Sequence, residues 1–493
     1  MLTRRALMLA TAAAGVVGLS PSALGLAPTS DALVGDPLPS DAPIRRLALS
    51  TGEMEVPLLG SGRPVTRRFC AYNGTPLMTW RVPQGTRLMV DFENRLPSAT
   101  TVHWHGIRVP NVSDGVAPLT QPVIPPGGRF SYNVPLPDAG FYFFHPHCDE
   151  TGQVGRGLAA LLLVEEPAEQ RVAFDVEHII VVKDWRLDED GQFLPSFTDE
   201  GASTAGTFGN VRAVNGFPKT PRIEAPAHGD VRIRTIVADG TRVIDFGCDT
   251  EDAALLACDG QAINPVLFSK LPDEVWRMGP AMRVDVHVRM PEAGKEVTIY
   301  DYRTAEPFPL TTLVAVDRGK KKSAFRPKPL APPRSVPLPD VARAERIEFL
   351  VQTAAGATII APPLPADDPL AKALVDSVCV GDKTFWAINR NSWAAGTDLR
   401  LPPPLNVLRD GRSYILQVTN VTKHVHPMHL HGHVFRVLSS SKKTLPPVLA
   451  DTFNVEPNET VELAFKAAHG DWVFHCHILE HMDAGLMGWF RVA

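Results

Sequence analysis

The chain has 493 residues, 44% hydrophobic and 21% charged, ordinary globular usage that excludes wholesale disorder, a polytopic membrane protein and a small disulfide-stapled scaffold. Its 49 lysines and arginines against 54 aspartates and glutamates leave a formal charge of -5, with no electrostatic footprint for nucleic acid or anionic lipid. The length predicts about three domains, and 46 prolines with 37 glycines predict short strands joined by turns, since proline interrupts helices and central strands alike.

In chain order, Thr3-Arg4-Arg5 precedes the uncharged, mostly apolar run Ala6 to Leu19 and the small-residue pattern Ser22-Ala23-Leu24-Gly25. Residues 1–25 thus resemble a twin-arginine export signal with a cut near Gly25; the apolar run is shorter than the ~20 residues needed to span a bilayer. The signal implies a periplasmic or secreted protein. Strands are predicted at Arg87–Phe92, Thr101–Val109, Phe130–Val134, Phe141–His145 and Leu158–Val164, the spacing of a β-sandwich over residues 30–168. A second strand-rich domain is predicted over 170–325, with Val231–Val237 and Val284–Val288 among its strands. Residues 326–340, rich in proline, read as an extended linker. A third domain over 341–493 carries strands at Tyr414–Thr419, Val434–Leu438, Val461–Phe465 and Trp472–His475. Lys320-Lys321-Lys322 reads as a solvated loop.

Half of the 16 histidines fall in four His-x-His pairs: His103/His105, His145/His147, His429/His431 and His475/His477. On a strand, residues i and i+2 share a face, so each pair can offer two imidazoles side by side to a metal site. A single such pair is more simply a packed or exposed one; four reverse that reading. Two pairs lie in the first domain and two in the last, which puts a joint site where those domains meet. Alternation also sends Cys476 away from His475 and His477, so the thiolate and its neighbours can serve different metals across one strand. His426 and His481 are free to join Cys476 in a trigonal His2Cys site of the blue-copper kind. Zinc accepts the same ligands but leaves the other paired histidines unexplained.

The four motifs, their order and the three-domain length resemble the multicopper oxidases of the laccase-like, exported bacterial type, over nearly the whole chain beyond the signal. The resemblance implies an all-β fold of three consecutive cupredoxin-like Greek-key β-sandwich domains. It implies His426, Cys476 and His481 as type 1 copper ligands, and His103 and His429 as type 2 ligands. His105, His145, His147, His431, His475 and His477 match the type 3 pair, giving four coppers per chain. The implied reaction is one-electron oxidation of phenolic or aromatic-amine donors, coupled to four-electron reduction of dioxygen to water. The second domain supplies no copper ligand and is expected to space its neighbours and shape the substrate face. The implied partners are a small-molecule or metal-ion donor, dioxygen and the twin-arginine export machinery; neither nucleic acid nor stable membrane insertion is expected. Two alternatives stay open. A metallo-oxidase for Cu(I) or Mn(II) would need acidic or methionine residues beside the type 1 edge, and the 11 methionines are scattered. A periplasmic cupredoxin-fold structural or copper-carrying protein would have no need of a complete ligand set.

Several residues depart from that pattern or stay outside it. Leu486 stands where many relatives carry an axial methionine, which implies a three-coordinate, high-potential copper; Met487 could take the place only by reversing its facing. Asp114 matches an acid placed near the type 2 copper, although a turn aspartate before Gly115 is the plain alternative. After His481, where relatives place a proton-relaying glutamate, this chain has Met482, and Glu480 points elsewhere by parity. His178, His228, His287, His424, His433 and His469 are expected to be structural, exposed or supporting. Cys248 and Cys258 are close enough in sequence to bridge, and Cys148 is expected as a buried thiol.

Overall fold

Alternating apolar residues between glycine and proline breaks do become strands, and the strands assemble into six sheets among the described residues. The computed structural model describes residues 36–333, 335–354, 358–359, 384–393 and 401–493; the expected export segment lies outside them. The first part of the chain forms two four-stranded sheets. One holds Ile44–Val56, Thr66–Tyr72, Arg87–Asn94 and Arg129–Pro135; the other holds Thr79–Pro83, His103–His105, Gly140–His145 and Ala160–Glu165. Residues 176–316 supply two five-stranded sheets, and residues 345–492 an eight-stranded and a five-stranded one. Each sheet combines antiparallel neighbours with a parallel pair between strands remote in sequence. Ile44 to Thr51 lies beside Arg87 to Asn94, and Thr79 to Pro83 beside Leu161 to Glu165. Such returns make Greek keys rather than meanders, and the architecture is three cupredoxin-like sandwiches in succession. No helix of the described residues is long and apolar enough to cross a membrane.

Alternation decides which side chains meet between the sandwiches. In Gly140–His145, Tyr142 and Phe144 enter the first sandwich's core, while Phe141 and Phe143 face outward onto Ile236 and Ala281 of the middle sandwich. His145 continues the outward face. In His103–His105 the central Trp104 is the core residue, which turns both flanking imidazoles out of the sandwich. In the last sandwich, Met428, Leu430, Phe474 and Cys476 share one buried core, and His429 and His475, paired across the sheet, project from its other side.

Two expectations need correction. The strand predicted over Thr101–Val109 is only His103–His105, because Gly106 turns away at φ +80. A Cβ there would sit 2.4 Å from Asp451 Oδ2 and 2.5 Å from an Arg283 guanidinium nitrogen, so the turn and the close approach both require glycine. Cys148 is buried as expected but disulfide-bonded, not a thiol. The pairing that the sequence leaves open for Cys248 and Cys258 is not made: both are free.

Candidate metal centres

The site begins with strand Gly470–Cys476, which lies between His426–Leu430 and Met487–Val492. Cys476 faces one way, with its Sγ 3.5 Å from His426 Nδ1 and 3.7 Å from His481 Nδ1; those two nitrogens are 3.1 Å apart. The outer ring nitrogens are anchored. His426 Nε2–H donates to the Thr422 hydroxyl (2.9 Å), and His481 Nε2–H to the Thr204 carbonyl (2.9 Å). Each bond leaves Nδ1 as a lone pair aimed at the sulfur. The Ile478 N–H donates to Sγ (3.4 Å), while burial pushes the thiol well above its ordinary pKa. A soft metal that takes the thiolate removes that penalty.

Leu486 packs in the same buried core as Cys476, and its carbonyl accepts the Cys476 N–H (3.0 Å). Met487 lies instead with Val116, Val473 and Trp489, so the reversed facing expected for it is what the fold shows. Trp386 covers the triad, its ring centroid 5.0 Å from that of His426 and 4.7 Å from that of His481.

On the far side of the same strand, the eight paired histidines form one buried cluster. His103 and His429 group with His105; His145 and His477 also group with His105; His147, His431 and His475 form a third set. In three of the four pairs the two histidines fall in different sets. The reason is visible in the backbone: strands His426–Leu430, Gly140–His145 and Gly470–Cys476 end before His431, His147 and His477. Every ligand foreseen in the sequence is in the cluster or the triad, and no group of ligand atoms among the described residues draws on the middle sandwich.

The cluster fits metal by its unpaired atoms. His103 Nε2, His429 Nε2, His147 Nε2 and both ring nitrogens of His477 are buried without a hydrogen-bond partner. Each costs about 1–3 kcal/mol when left so, a penalty that coordination relieves. The opposite nitrogens are fixed: His103 Nδ1–H donates to the Asp114 carbonyl (2.8 Å), His429 Nδ1–H to the Asp451 carbonyl (2.8 Å) and His475 Nδ1–H to the Cys476 carbonyl (2.9 Å). Burial holds His105, His147, His429, His431 and His477 well below the ordinary imidazole pKa, His145 to about 4 and His475 to about 3, as it holds His481 of the triad to about 3, so these rings are neutral ligands near pH 7.

Carboxylates complete the surroundings. Asp114 Oδ2 accepts from His431 Nδ1 (2.9 Å), and Oδ1 lies 3.3 Å from His103 Nδ1. This is more than a turn aspartate. Three groups escaped the sequence reading. Asp451 accepts from His105 Nε2 (3.0 Å) and is clamped by Arg283 of the middle sandwich (2.6 Å), whose Nε donates to the Phe141 carbonyl (3.2 Å). This fully buried arginine ties all three sandwiches beside the cluster. Glu150 Oε1 lies 2.8 Å from His145 Nδ1, and burial raises its pKa to about 8. Glu480 does turn away, as parity requires, and accepts from the Thr198 N–H (2.9 Å) and the Thr207 hydroxyl (2.7 Å), fastening the loop that presents Thr204 to His481. The histidines outside the ligand set include His287, bonded to Asp230 (2.9 Å), and His433, bonded to the His431 carbonyl (2.8 Å).

Consecutive cupredoxin-like sandwiches with a His2Cys triad backed by a histidine cluster define a copper-binding redox protein. Residues 60–169 and 380–493 match two family models, each described as multicopper oxidase. A multi-copper oxidase of Pseudomonas thermotolerans, known as a crystal structure, is 32% identical; the match covers 92% of this chain and 100% of that one, with a TM-score of 0.79. Multicopper oxidase MmcO of Mycobacterium tuberculosis is 28% identical over 452 residues, 86% of this chain and 83% of that protein. Laccase-2 of Fomitopsis schrenkii is 27% identical over 432 residues, 80% and 79% of the two chains. The chain belongs to the multicopper oxidase family, and it is a copper-dependent oxidoreductase with oxygen as acceptor.

Proposed function

We propose that the protein oxidises phenolic or aromatic-amine donors one electron at a time and reduces dioxygen to water, with four coppers per chain. The observation that carries this reading is the divergence at residues 475–477: Cys476 belongs to the triad with His426 and His481, whereas His475 and His477 belong to the cluster. In this reading the triad holds the type 1 copper, His103 and His429 hold the type 2 copper, and the other six paired histidines hold the type 3 pair. When bound, copper supplies one-electron storage and the reducing power for dioxygen.

The chain's own residues do the rest. Strand alternation places the donor-side sulfur one peptide unit from two cluster ligands, a short covalent path. Thr422 and Thr204 hold the triad rings in one tautomer, so little has to reorganise when charge changes. Leu486 presents hydrocarbon where a thioether would coordinate, which favours a high potential. Asp114 and Asp451 hold negative charge against the cluster and orient its rings. Among the described residues, the lining of the neighbouring cavity holds no methionine and a single acid, Asp301, which is committed to Arg212 (2.9 Å), and this favours an organic donor over Cu(I) or Mn(II). Residues 1–25 would direct the folded protein to the periplasm or beyond.

The test is a copper-reconstituted sample. It should hold about four coppers per chain, show intense blue absorption with a potential in the family's upper range, and consume dioxygen with a phenol in excess of its rate with Cu(I). Copper uptake without blue colour or oxygen consumption overturns the reading; a rate confined to Cu(I) replaces it with the metallo-oxidase one.

A further inference from the structure

The Cys476 triad is sealed from direct contact. His481 is fully buried and its Nε2–H is already spent on the Thr204 carbonyl (2.9 Å), so a donor has no free ring nitrogen to grip. A cavity of about 210 Å³ between the middle and last sandwiches reaches the triad's neighbours, lined by Phe208, Arg242, Arg303, His424 and Ile478 among others. We infer that this cavity is the donor seat and that it selects aromatic donors bearing a carboxylate or similar anion, held by Arg303 and Arg242. This rests on the phenol-oxidase reading and narrows its substrate class.

Size, apolar surface and charge each support the assignment. A cavity of about 150 Å³ takes a benzene ring, so this one takes a single substituted ring. Phe208 is 47% exposed, an uncommon state for a large aromatic and suited to stacking a ring at the mouth. Ile478 forms the inner wall, and its N–H donates to Cys476 Sγ (3.4 Å). An electron entering at this wall therefore reaches the sulfur through one residue, bypassing the sealed histidine.

The charges on the wall do not cancel. Its one carboxylate, Asp301, faces Arg212 behind it (2.9 Å) and accepts the backbone N–H groups of Asp245 and Arg303 (both 3.0 Å). Arg242 is oriented through its Nε by Asp184 and lies over the Phe208 ring at 5.2 Å, leaving its terminal nitrogens for a ligand. Arg303 has only a loose ion pair, 3.9 Å to Asp245, and that carboxylate is already held at two points by Arg277 (2.6 and 3.0 Å). Two guanidinium groups beside an exposed ring suit a planar anion. In the reaction the phenolic O–H bond breaks, the proton leaves to water, one electron passes to the triad and onward to dioxygen, and the carboxylate stays intact as the handle.

The experiment uses the copper-loaded enzyme, with syringate and its neutral methyl ester as donors. The quantity read is the ratio of their kcat/KM values, compared between wild type and variants so that intrinsic reactivity cancels. Arg303→Gln should lower the syringate-to-ester ratio about tenfold, Arg303→Lys should restore part of it, and the blue absorption should persist in both. Raising the salt should lower the ratio in the wild type. An unchanged ratio in Arg303→Gln and in Arg242→Gln overturns this inference alone. A wild-type enzyme that consumes oxygen with neither donor overturns the phenol-oxidase reading and this inference with it.

Discussion

The Cys476 triad and the histidine cluster share a strand, and both use neutral oxygens to orient rings, but the cluster also has acidic side chains against its imidazoles. The triad's imidazoles donate to neutral oxygens, the Thr422 hydroxyl and the Thr204 carbonyl. In the cluster, His103 and His431 lie on Asp114, His105 on Asp451 and His145 on Glu150. A neutral acceptor orients a ring without adding charge; a buried carboxylate also offsets charge that nearby cations bring. The difference matches the proposed division of work, one electron at a time on one side and several charges gathered on the other. It also divides responsibility among the sandwiches: the middle one caps the triad through Thr204 and braces the cluster through Arg283, while contributing no metal ligand among the described residues.

Three substitutions press on that contrast. The largest effect is expected from Cys476→Ser, which removes the triad's only sulfur: blue absorption and turnover should both vanish, while copper analysis still finds the cluster occupied. Loss of the cluster's copper as well would mean that the two centres are not separate sites. Asp114→Asn keeps the shape but removes the charge shared by His103 and His431; turnover should fall ~10- to 100-fold with the blue colour retained, in single-turnover oxygen kinetics. Full turnover would remove the carboxylate from the account. The smallest effect belongs to Glu480→Gln, which weakens the fastening of the Thr198–Thr207 loop. It should shift the blue band and the triad's potential while changing turnover by only about threefold; an unaltered spectrum would show that the loop does not position His481.

The candidate ligands are legible because each lies in a short, patterned string, and parity alone separates Cys476 from His475 and His477. The sandwiches were legible from strand and turn spacing, although not the parallel returns that close them. What escaped the sequence was every contact between remote segments. His105 meets Asp451 across 346 positions, His481 meets Thr204 across 277, and Arg283 meets Asp451 across 168; no local period links such residues. Glu480 shows the boundary well: alternation excluded it from the triad, but only the fold shows that it grips the loop reaching His481. At Thr101–Val109 the apolar pattern overran the true strand, because Gly106 turns where two other sandwiches crowd in. Cys148 was misread for a related reason, since burial looks the same for a thiol and for half of a disulfide.

The cluster draws its histidines from residues 103–147 and 429–477, and this fixes a schedule for making the molecule. While the chain is still being translated, the early pairs are present with half of their partners unsynthesised, and no complete cage exists to trap a stray ion. Completion waits for the segment through His477, so the full cage is a property of the finished fold and of no shorter stretch of the chain.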